Sequence, residues 1–377
     1  GMSITDERKE TFDFSEPYFD SGIQMAVAES NDDIQGYEDL EGETVVDLWG
    51  GHADEARTRP WTRDTIVNVY STTKTMTALT ALLLADRGEL DFSAPVARYW
   101  PEFAANGKGG VTVAHLMSHS AGLPGWIERI STEDLYDWDK VCALLAAQAP
   151  LWEPGTQPGY HAISQGYLVG EVVRRITGRS LGTVFREEIA DPLGADFHIG
   201  LPASEDHRVA DLIPRIGDVP IPSGNAVQKA VANNPPIDPL ETRTRAWRGA
   251  EIPAAGGTGN ARAVAEIHAI LANGGVAKGK RFMSEAGCRK ALELQVEGPD
   301  LILGAQARFG MGFGLAGGVV PLPHPNTIYW GGYGGSVVII DMDARTTFAY
   351  AMNKMSGGTT GDMRAFSLIM PMWEALG

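Results

Sequence analysis

Val69-Tyr70-Ser71-Thr72-Thr73-Lys74 runs straight on into Thr75-Met76-Thr77-Ala78-Leu79-Thr80-Ala81-Leu82-Leu83-Leu84-Ala85-Asp86-Arg87-Gly88. From Thr75 onward the stretch is rich in Ala, Leu and Met. It stops at a glycine, which takes the left-handed conformation that ends helices, so it predicts a helix. Apolar residues go almost all the way round it, which places that helix at the centre of the molecule. Ser71 falls on its first turn, and Lys74, three residues on, projects from the same face. A hydroxyl at a helix N-terminus sits in a positive local field that favours a developing alkoxide. A lysine one turn away is a candidate base for it. The same spacing also fits a serine cap beside a surface lysine. A buried helix makes that alternative less comfortable, because an unpaired ammonium in a core is costly.

The rest of the chain bounds what such a pair could serve. With 377 residues there is enough chain for a sizeable core, in one large or two intimate domains. The hydrophobic share of 44% and charged share of 21% are those of an ordinary globular protein. The net charge of -17, with no offsetting Lys/Arg cluster, argues against nucleic acid and anionic membrane as partners. The 2 cysteines, Cys142 and Cys288, rule out a disulfide scaffold and read as buried free thiols. Gly1 ahead of Met2 reads as an added residue, and Ser3–Phe14 has neither a basic nor an apolar leader segment. No apolar run reaches bilayer-spanning length, and the expected location is cytoplasmic.

Strand candidates are Ile23–Ala28, Glu43–Gly51 and Asp64–Val69, the last delivering Ser71. Between the first two, Ser30–Gly42 is acidic and turn-like. Helical pattern recurs over Val111–Pro124, Leu135–Gln148, Ser164–Thr177 and Asn260–Asn273, the last opened by an asparagine cap and closed by Gly274-Gly275. Ile199–Gly259 is dense in Pro, Gly and Asn with little periodicity, which marks a functional or mobile segment. Strands return at Phe309–Leu315, Thr327–Trp330, Ser336–Met342 and Thr346–Met352, followed by a terminal helix over Gly361–Leu376. Strand-rich ends around a helix-rich middle suggest one sheet built from both ends, with a helical lobe between them.

Three local patterns read as structural. His115 and His119 are four apart, but Leu116 stands where a zinc protease needs a glutamate. Gly274…Gly279-Lys280 imitates a phosphate loop, yet Arg281 replaces the Ser/Thr and a helix precedes it. Ser120 before Ala121-Gly122 resembles part of a nucleophile elbow, but Ser118 occupies the first glycine position. Two further groups strengthen Ser71 and Lys74. Tyr160 follows a Trp152-Glu153-Pro154-Gly155 turn, and a phenol can pass a proton between nucleophile and leaving group. Tyr329–Ser336 reads as a Gly-rich strand, where missing side chains let a ligand approach main-chain N–H groups that could face an oxyanion.

With those residues in view, Trp61–Trp126, holding Ser71-Thr72-Thr73-Lys74 and Leu116-Met117-Ser118-His119-Ser120-Ala121-Gly122-Leu123-Pro124, resembles the serine β-lactamase/penicillin-binding-protein-like superfamily. Within it the chain looks most like the class C-like esterases called family VIII carboxylesterases. The likeness runs on through Pro154-Gly155, Tyr160-His161, Asp191-Pro192-Leu193-Gly194 and Ala255–Gly275 to Trp330-Gly331-Gly332. It implies Ser71 as the acylated nucleophile, Lys74 as the general base and Tyr160 as the partner in proton transfer. Main-chain N–H groups of Ser71 and Tyr333 would form the oxyanion hole. Trp330, Gly331, Gly332 and His161 would contact substrate. Two departures from the β-lactamases matter. Their Tyr-x-Asn is Tyr160-His161-Ala162 here, without the amide. Their Lys-Thr-Gly is Trp330-Gly331-Gly332, without the cation.

The expected fold is an α/β protein of α+β type, a β-lactamase-like sandwich with an antiparallel sheet from both chain ends, flanking helices and an inserted helical lobe. Residues 1–90 and 285–377 form the α/β domain, and 91–284 the lobe with a long substrate-side loop. The expected function is serine hydrolysis of carboxylic esters through an acyl-enzyme on Ser71, acting on a small-molecule ester or amide with no metal and no cofactor. Alternatives are a β-lactamase or D-Ala-D-Ala peptidase, an acyltransferase, and a catalytically idle scaffold.

Overall fold

The computed structural model describes residues 23–26, 44, 46–215, 224–318, 320, 322–358 and 361–376. In chain order the strands are β1 (Ile23–Ala26), β2 (Asp47–Gly50), β3 (Val67–Asn68), β4 (Phe197–His198), β5 (Thr258–Gly259), β6 (Val276–Ala277), β7 (Lys280–Arg281), β8 (Val296–Pro299), β9 (Gln306–Phe309), β10 (Gly314–Leu315), β11 (Thr327–Gly331), β12 (Val337–Asp341) and β13 (Thr346–Met352). An 8-stranded sheet has the order β2-β1-β13-β12-β11-β10-β9-β8, with neighbours antiparallel. Its strands therefore come from both ends of the chain, as the composition of those ends suggested.

The β-branched run of β12 is buried on both faces, and successive residues divide between two cores. Val337 and Ile339 join Phe348, Tyr350 and Met352 under Ala365, Ile369 and Met372 of the terminal helix, Met363–Leu376. Val338 and Ile340 face the larger core with Ala349 and Ala351. On that side the helix Ala261–Ala272 lies across β1, β12 and β13. Its start is set by Asn260, whose side-chain oxygen accepts the Ala263 N–H at 2.8 Å.

The central helix spans Thr73–Asp86, and every residue from Thr73 to Leu84 is buried. Leu79, Leu82, Leu83 and Leu84 are each about 1% exposed, a gain of ~2 kcal/mol apiece on general transfer values. Packing on several sides explains the all-round apolar pattern. The helices Ser164–Thr177, Leu181–Phe185 and Glu285–Arg289 press on it from three directions. The short turn Tyr70–Thr72 leads into its N-terminus from β3.

Several local expectations are corrected. Asp64–Val69 supplies only the two-residue β3, because Thr62 and Thr65 close a turn on each other through Thr62 N–H to Thr65 Oγ1 at 2.9 Å and Thr65 N–H to Thr62 O at 3.1 Å. The helix read over Val111–Pro124 is confined to Val113–Met117, since His119 takes φ 60° and breaks it. Tyr329–Ser336 is not one strand. β11 ends at Gly331, and Gly332–Ser336 is the turn of a hairpin into β12. Ile199–Gly259 contains helices at Ala226–Val231 and Arg245–Gly249 and 3-10 turns at Ala203–Arg208 and Pro239–Arg243. The turn-like stretch Ser30–Gly42 lies outside the described residues. Among the described residues, no helix is long and apolar enough to cross a membrane.

Candidate active site

β3 delivers the chain to Tyr70, a non-glycine residue at φ 43°, a conformation that costs on the order of 1–3 kcal/mol and persists only where its surroundings impose it. They do. Asn68 Oδ1 accepts the Tyr70 N–H at 3.1 Å, while Asn68 Nδ2 donates to Ala255 O at 3.0 Å. Thr73 Oγ1 donates to Tyr70 O at 2.5 Å. This tight turn leaves the Ser71 hydroxyl only partly covered at the head of the central helix.

Three sequence-distant side chains meet there. Lys74 Nζ lies 3.0 Å from Ser71 Oγ, and the Tyr160 hydroxyl donates to Ser71 Oγ at 2.7 Å. Lys74 is fully buried and also donates to Ala162 O at 2.6 Å and Ala254 O at 2.9 Å. Its ammonium form is disfavoured by burial, which brings its pKa well below the ordinary lysine value. Burial acts the opposite way on the Tyr160 phenol and pushes it up, against hydrogen bonds with Ser71 and the Trp330 indole that pull it down.

Lys108, the other fully buried lysine among the described residues, provides a contrast. Its Nζ donates to three main-chain carbonyls, Ala105 O at 2.8 Å, Ala146 O at 2.9 Å and Gln148 O. Three acceptors match the three donors of an ammonium, and burial lowers its pKa only to about 8. Lys74 has two carbonyl acceptors and a hydroxyl. Two N–H bonds and one lone pair, the inventory of a neutral amine, match that set.

The hairpin turn Gly332–Ser336 closes the site from the sheet side. Ser336 Oγ donates to Val69 O at 2.9 Å and lies 3.0 Å from Thr72 Oγ1. The Tyr333 ring packs edge-on against Tyr70 at 5.5 Å. Trp330 is 6% exposed and stacks on His119 at 5.3 Å, with Tyr160 at 5.9 Å and Phe309 at 5.5 Å completing its surroundings. His161, expected to contact substrate, is fully buried with both ring nitrogens engaged. Nε2 accepts the Leu123 N–H at 3.1 Å and Nδ1–H donates to Gly159 O at 2.5 Å. Burial drops its pKa to about 3, and with both nitrogens bonded within the protein the ring holds the loop.

The patterns set aside as structural are accounted for by contacts. His115 Nδ1 accepts the Thr112 N–H at 3.3 Å in a helix cap, and His119 Nδ1 accepts the His161 N–H at 3.1 Å. Gly274–Arg281 is the approach and hairpin of β6 and β7. Ser120 is buried with its hydroxyl 3.0 Å from Ser118 Oγ. Ser120→Ala is expected to retain more than about half of wild-type turnover, and EDTA to leave turnover unchanged; the loss of one neutral hydrogen bond affects stability by only ~1 kcal/mol. Either a dead Ser120→Ala enzyme of normal melting temperature or metal-restored activity would contradict this.

Sequence reasoning missed Asn68, Ala162 O, Ala254 O and Asp300. The first belongs to a strand end that looked unremarkable. The next two are main-chain groups without a side-chain signature. Asp300 Oδ1 accepts the Tyr160 N–H at 3.1 Å from a loop far along the chain.

Comparison with known proteins places this geometry. The beta-lactamase family model matches residues 40–368. The Esterase/beta-lactamase LipL of Mycobacterium tuberculosis is 35% identical, over 84% of this chain and 76% of its own. The crystal structure of a family VIII carboxylesterase superposes with a TM-score of 0.85 at 44% identity, covering 94% of this chain and 92% of the other. A penicillin-binding protein homolog from Caulobacter crescentus gives a TM-score of 0.86 at 37% identity, covering 95% and 93%. With the match spanning the central helix, the Tyr160 loop and the Gly-rich hairpin alike, the chain belongs to the beta-lactamase family.

Proposed function

We propose that this protein is a carboxylesterase that hydrolyses small neutral esters through an acyl-enzyme on Ser71. The observation that carries the reading is Ser71 Oγ held between Lys74 Nζ at 3.0 Å and the Tyr160 hydroxyl at 2.7 Å. With Lys74 a neutral amine, Ser71 O–H donates to its lone pair while Ser71 Oγ accepts from Tyr160. Attack of Oγ on the ester carbonyl carbon passes the hydroxyl proton to Lys74. The oxyanion of the tetrahedral intermediate is received by the main-chain N–H groups of Ser71 and Tyr333. As the C–O bond to the alcohol breaks, Tyr160 gives its proton to the leaving oxygen and takes one from the Lys74 ammonium. Water then attacks the acyl carbonyl by the same route in reverse, releasing the acid and Ser71. The raised phenol and the lowered amine support Lys74 rather than a tyrosinate as the resting base.

The substrate class follows from Trp330 and Ala162. A cation at the first position would make a charge-assisted bond to a β-lactam carboxylate, ~1.5–3 kcal/mol. An indole makes none. The amide missing at Ala162 removes ~1 kcal/mol more, and the main chain there is turned instead to Lys74. Together these predict roughly two to three orders of magnitude lower kcat/KM for β-lactams than a dedicated β-lactamase has. A panel of p-nitrophenyl esters of increasing chain length, run beside nitrocefin, tests this, with Ser71 labelling by a phosphonate read by mass spectrometry. Acetate or butyrate turnover with weak nitrocefin hydrolysis supports the proposal. Efficient nitrocefin hydrolysis with the esters untouched, or a phosphonate adduct away from Ser71, would overturn it.

A further inference from the structure

The Tyr160 loop is held more tightly than packing of a phenol requires. Three consecutive main-chain N–H groups are each taken by a named acceptor. Gly159 N–H donates to His119 O at 2.9 Å, Tyr160 N–H to Asp300 Oδ1 at 3.1 Å, and His161 N–H to His119 Nδ1 at 3.1 Å. Both acceptor residues are themselves unusual. His119 is 1% exposed, sits at φ 60° and leaves Nε2 without a hydrogen-bond partner. Asp300 is 2% exposed, and its Oδ2 likewise has none. A buried carboxylate with one unpartnered oxygen is a costly choice for a merely structural role.

Asp300 is fixed in its turn. Its Oδ1 also accepts Ile302 N–H and Leu303 N–H, each at 2.8 Å, so one oxygen organises the β8–β9 loop and the Tyr160 main chain together. Leu301 N–H reaches back to Pro158 O at 2.9 Å. From outside, Asn225 Nδ2 donates to Leu301 O at 2.7 Å and Gln228 Nε2 to Ile302 O at 2.9 Å. The helix Ala226–Val231 thereby braces the same loop.

We infer that Asp300 and His119 are positioning residues for Tyr160, fixing the main chain of residues 159–161 so that the phenol stays within hydrogen-bond reach of Ser71. This rests on the proposed role of Tyr160 in proton transfer. A phenol displaced by about 1 Å loses its alignment with Ser71 and the leaving oxygen, a misplacement that can cost about 10²-fold in rate. Neither residue touches substrate, so the loss falls on kcat and leaves KM nearly unchanged.

The test is a set of variants assayed with a p-nitrophenyl ester. Asp300→Ala is expected to lower kcat by about 10- to 100-fold with KM within about threefold. Asp300→Asn, which keeps the Oδ1 acceptor, is expected to recover most of that loss. In a Tyr160→Phe background Asp300→Ala is expected to cost less than about threefold, because residues acting as a unit are not additive. Should Asp300→Ala fail to fold, His119→Gly and His119→Asn provide the same comparison. Both tolerate the positive φ, and only Asn offers an acceptor near Nδ1. Equal losses from Asp300→Ala in the wild-type and Tyr160→Phe backgrounds would overturn the inference while leaving the ester-hydrolysis proposal standing. Wild-type turnover by Tyr160→Phe itself would instead remove the role of Tyr160 and this inference with it.

Discussion

Ser71→Ala is expected to abolish ester hydrolysis, by roughly five to six orders of magnitude in kcat, while the protein keeps its circular dichroism spectrum. No other described hydroxyl stands between Lys74 and Tyr160 at the head of the central helix. Lys74→Ala leaves the Ser71 proton without a base and is expected to cost on the order of 10²–10⁴. The double variant should be no worse than Ser71→Ala alone, since a base without its nucleophile has nothing left to do. The pH dependence has a definite sign. Burial lowers the Lys74 pKa, and only the neutral amine can accept the serine proton, so kcat/KM should rise with pH as Lys74 deprotonates. That rise should centre well below the ~10.4 of an exposed lysine. A profile rising only near pH 10, or a Ser71→Ala protein that turns over ester at the wild-type rate, would move the chemistry away from this pair.

Gly332→Ala is expected to be the most damaging single-methyl change near the site. A Cβ there would lie 2.1 Å from Val69 O and 2.3 Å from Ser336 Oγ, distances real Cβ atoms essentially never show. Val69 O is the acceptor for both Ser336 Oγ and Thr72 N–H, so relieving the clash moves the turn that carries Ser71. A displacement of about 1 Å in the nucleophile should cost ~10²-fold in kcat/KM, with a further loss of ~1–3 kcal/mol in stability from overpacking. Gly109→Ala, where a Cβ would meet nothing within 4 Å, serves as the control and should leave both properties unchanged. Thermal melts and ester kinetics on the pair decide it. A Gly332→Ala enzyme indistinguishable from wild type would mean that the hairpin does not hold the nucleophile in place.

Much of this was legible in the chain because some residues are unambiguous about their surroundings. An all-round apolar helix ending at Gly88 has one sensible place, the centre, and that is where it lies. Ser164–Thr177 has the bounds its periodicity implied, and Asn260 announced its helix by capping chemistry alone. β11, β12 and β13 were visible as β-branched and aromatic runs. The pairing of Ser71 with Lys74 followed from helical spacing, and the meeting with Tyr160 was suggested by family resemblance. What stayed hidden was whatever depends on main-chain atoms or on a single residue in an irregular loop. Nothing local distinguishes Ala254, whose carbonyl accepts from Lys74 Nζ, from its neighbour Ala255, whose carbonyl holds Asn68. Asp300 sits in a turn whose local sequence gives no hint that its oxygen reaches Tyr160. His161 misled for a related reason. Its position beside Tyr160 suggested contact with substrate, but its ring turns inward to Leu123 and Gly159.

The place of β13 in the sheet also bears on how the molecule is made. This strand is made long after β1, yet it lies between β12 and β1 rather than at an edge, pairing Ile23 with Met352. Until it emerges, β1 has no neighbour on that side and the core-facing side of Ala261–Ala272 is without that strand's cover. The helical middle of the chain can collapse early on local contacts, but the sheet must wait until β13 has been made. The hairpin that braces Ser71 is delayed with it. Newly made chains therefore pass through a stage with strand edges unpaired and the nucleophile turn unsupported, when chaperone protection matters most.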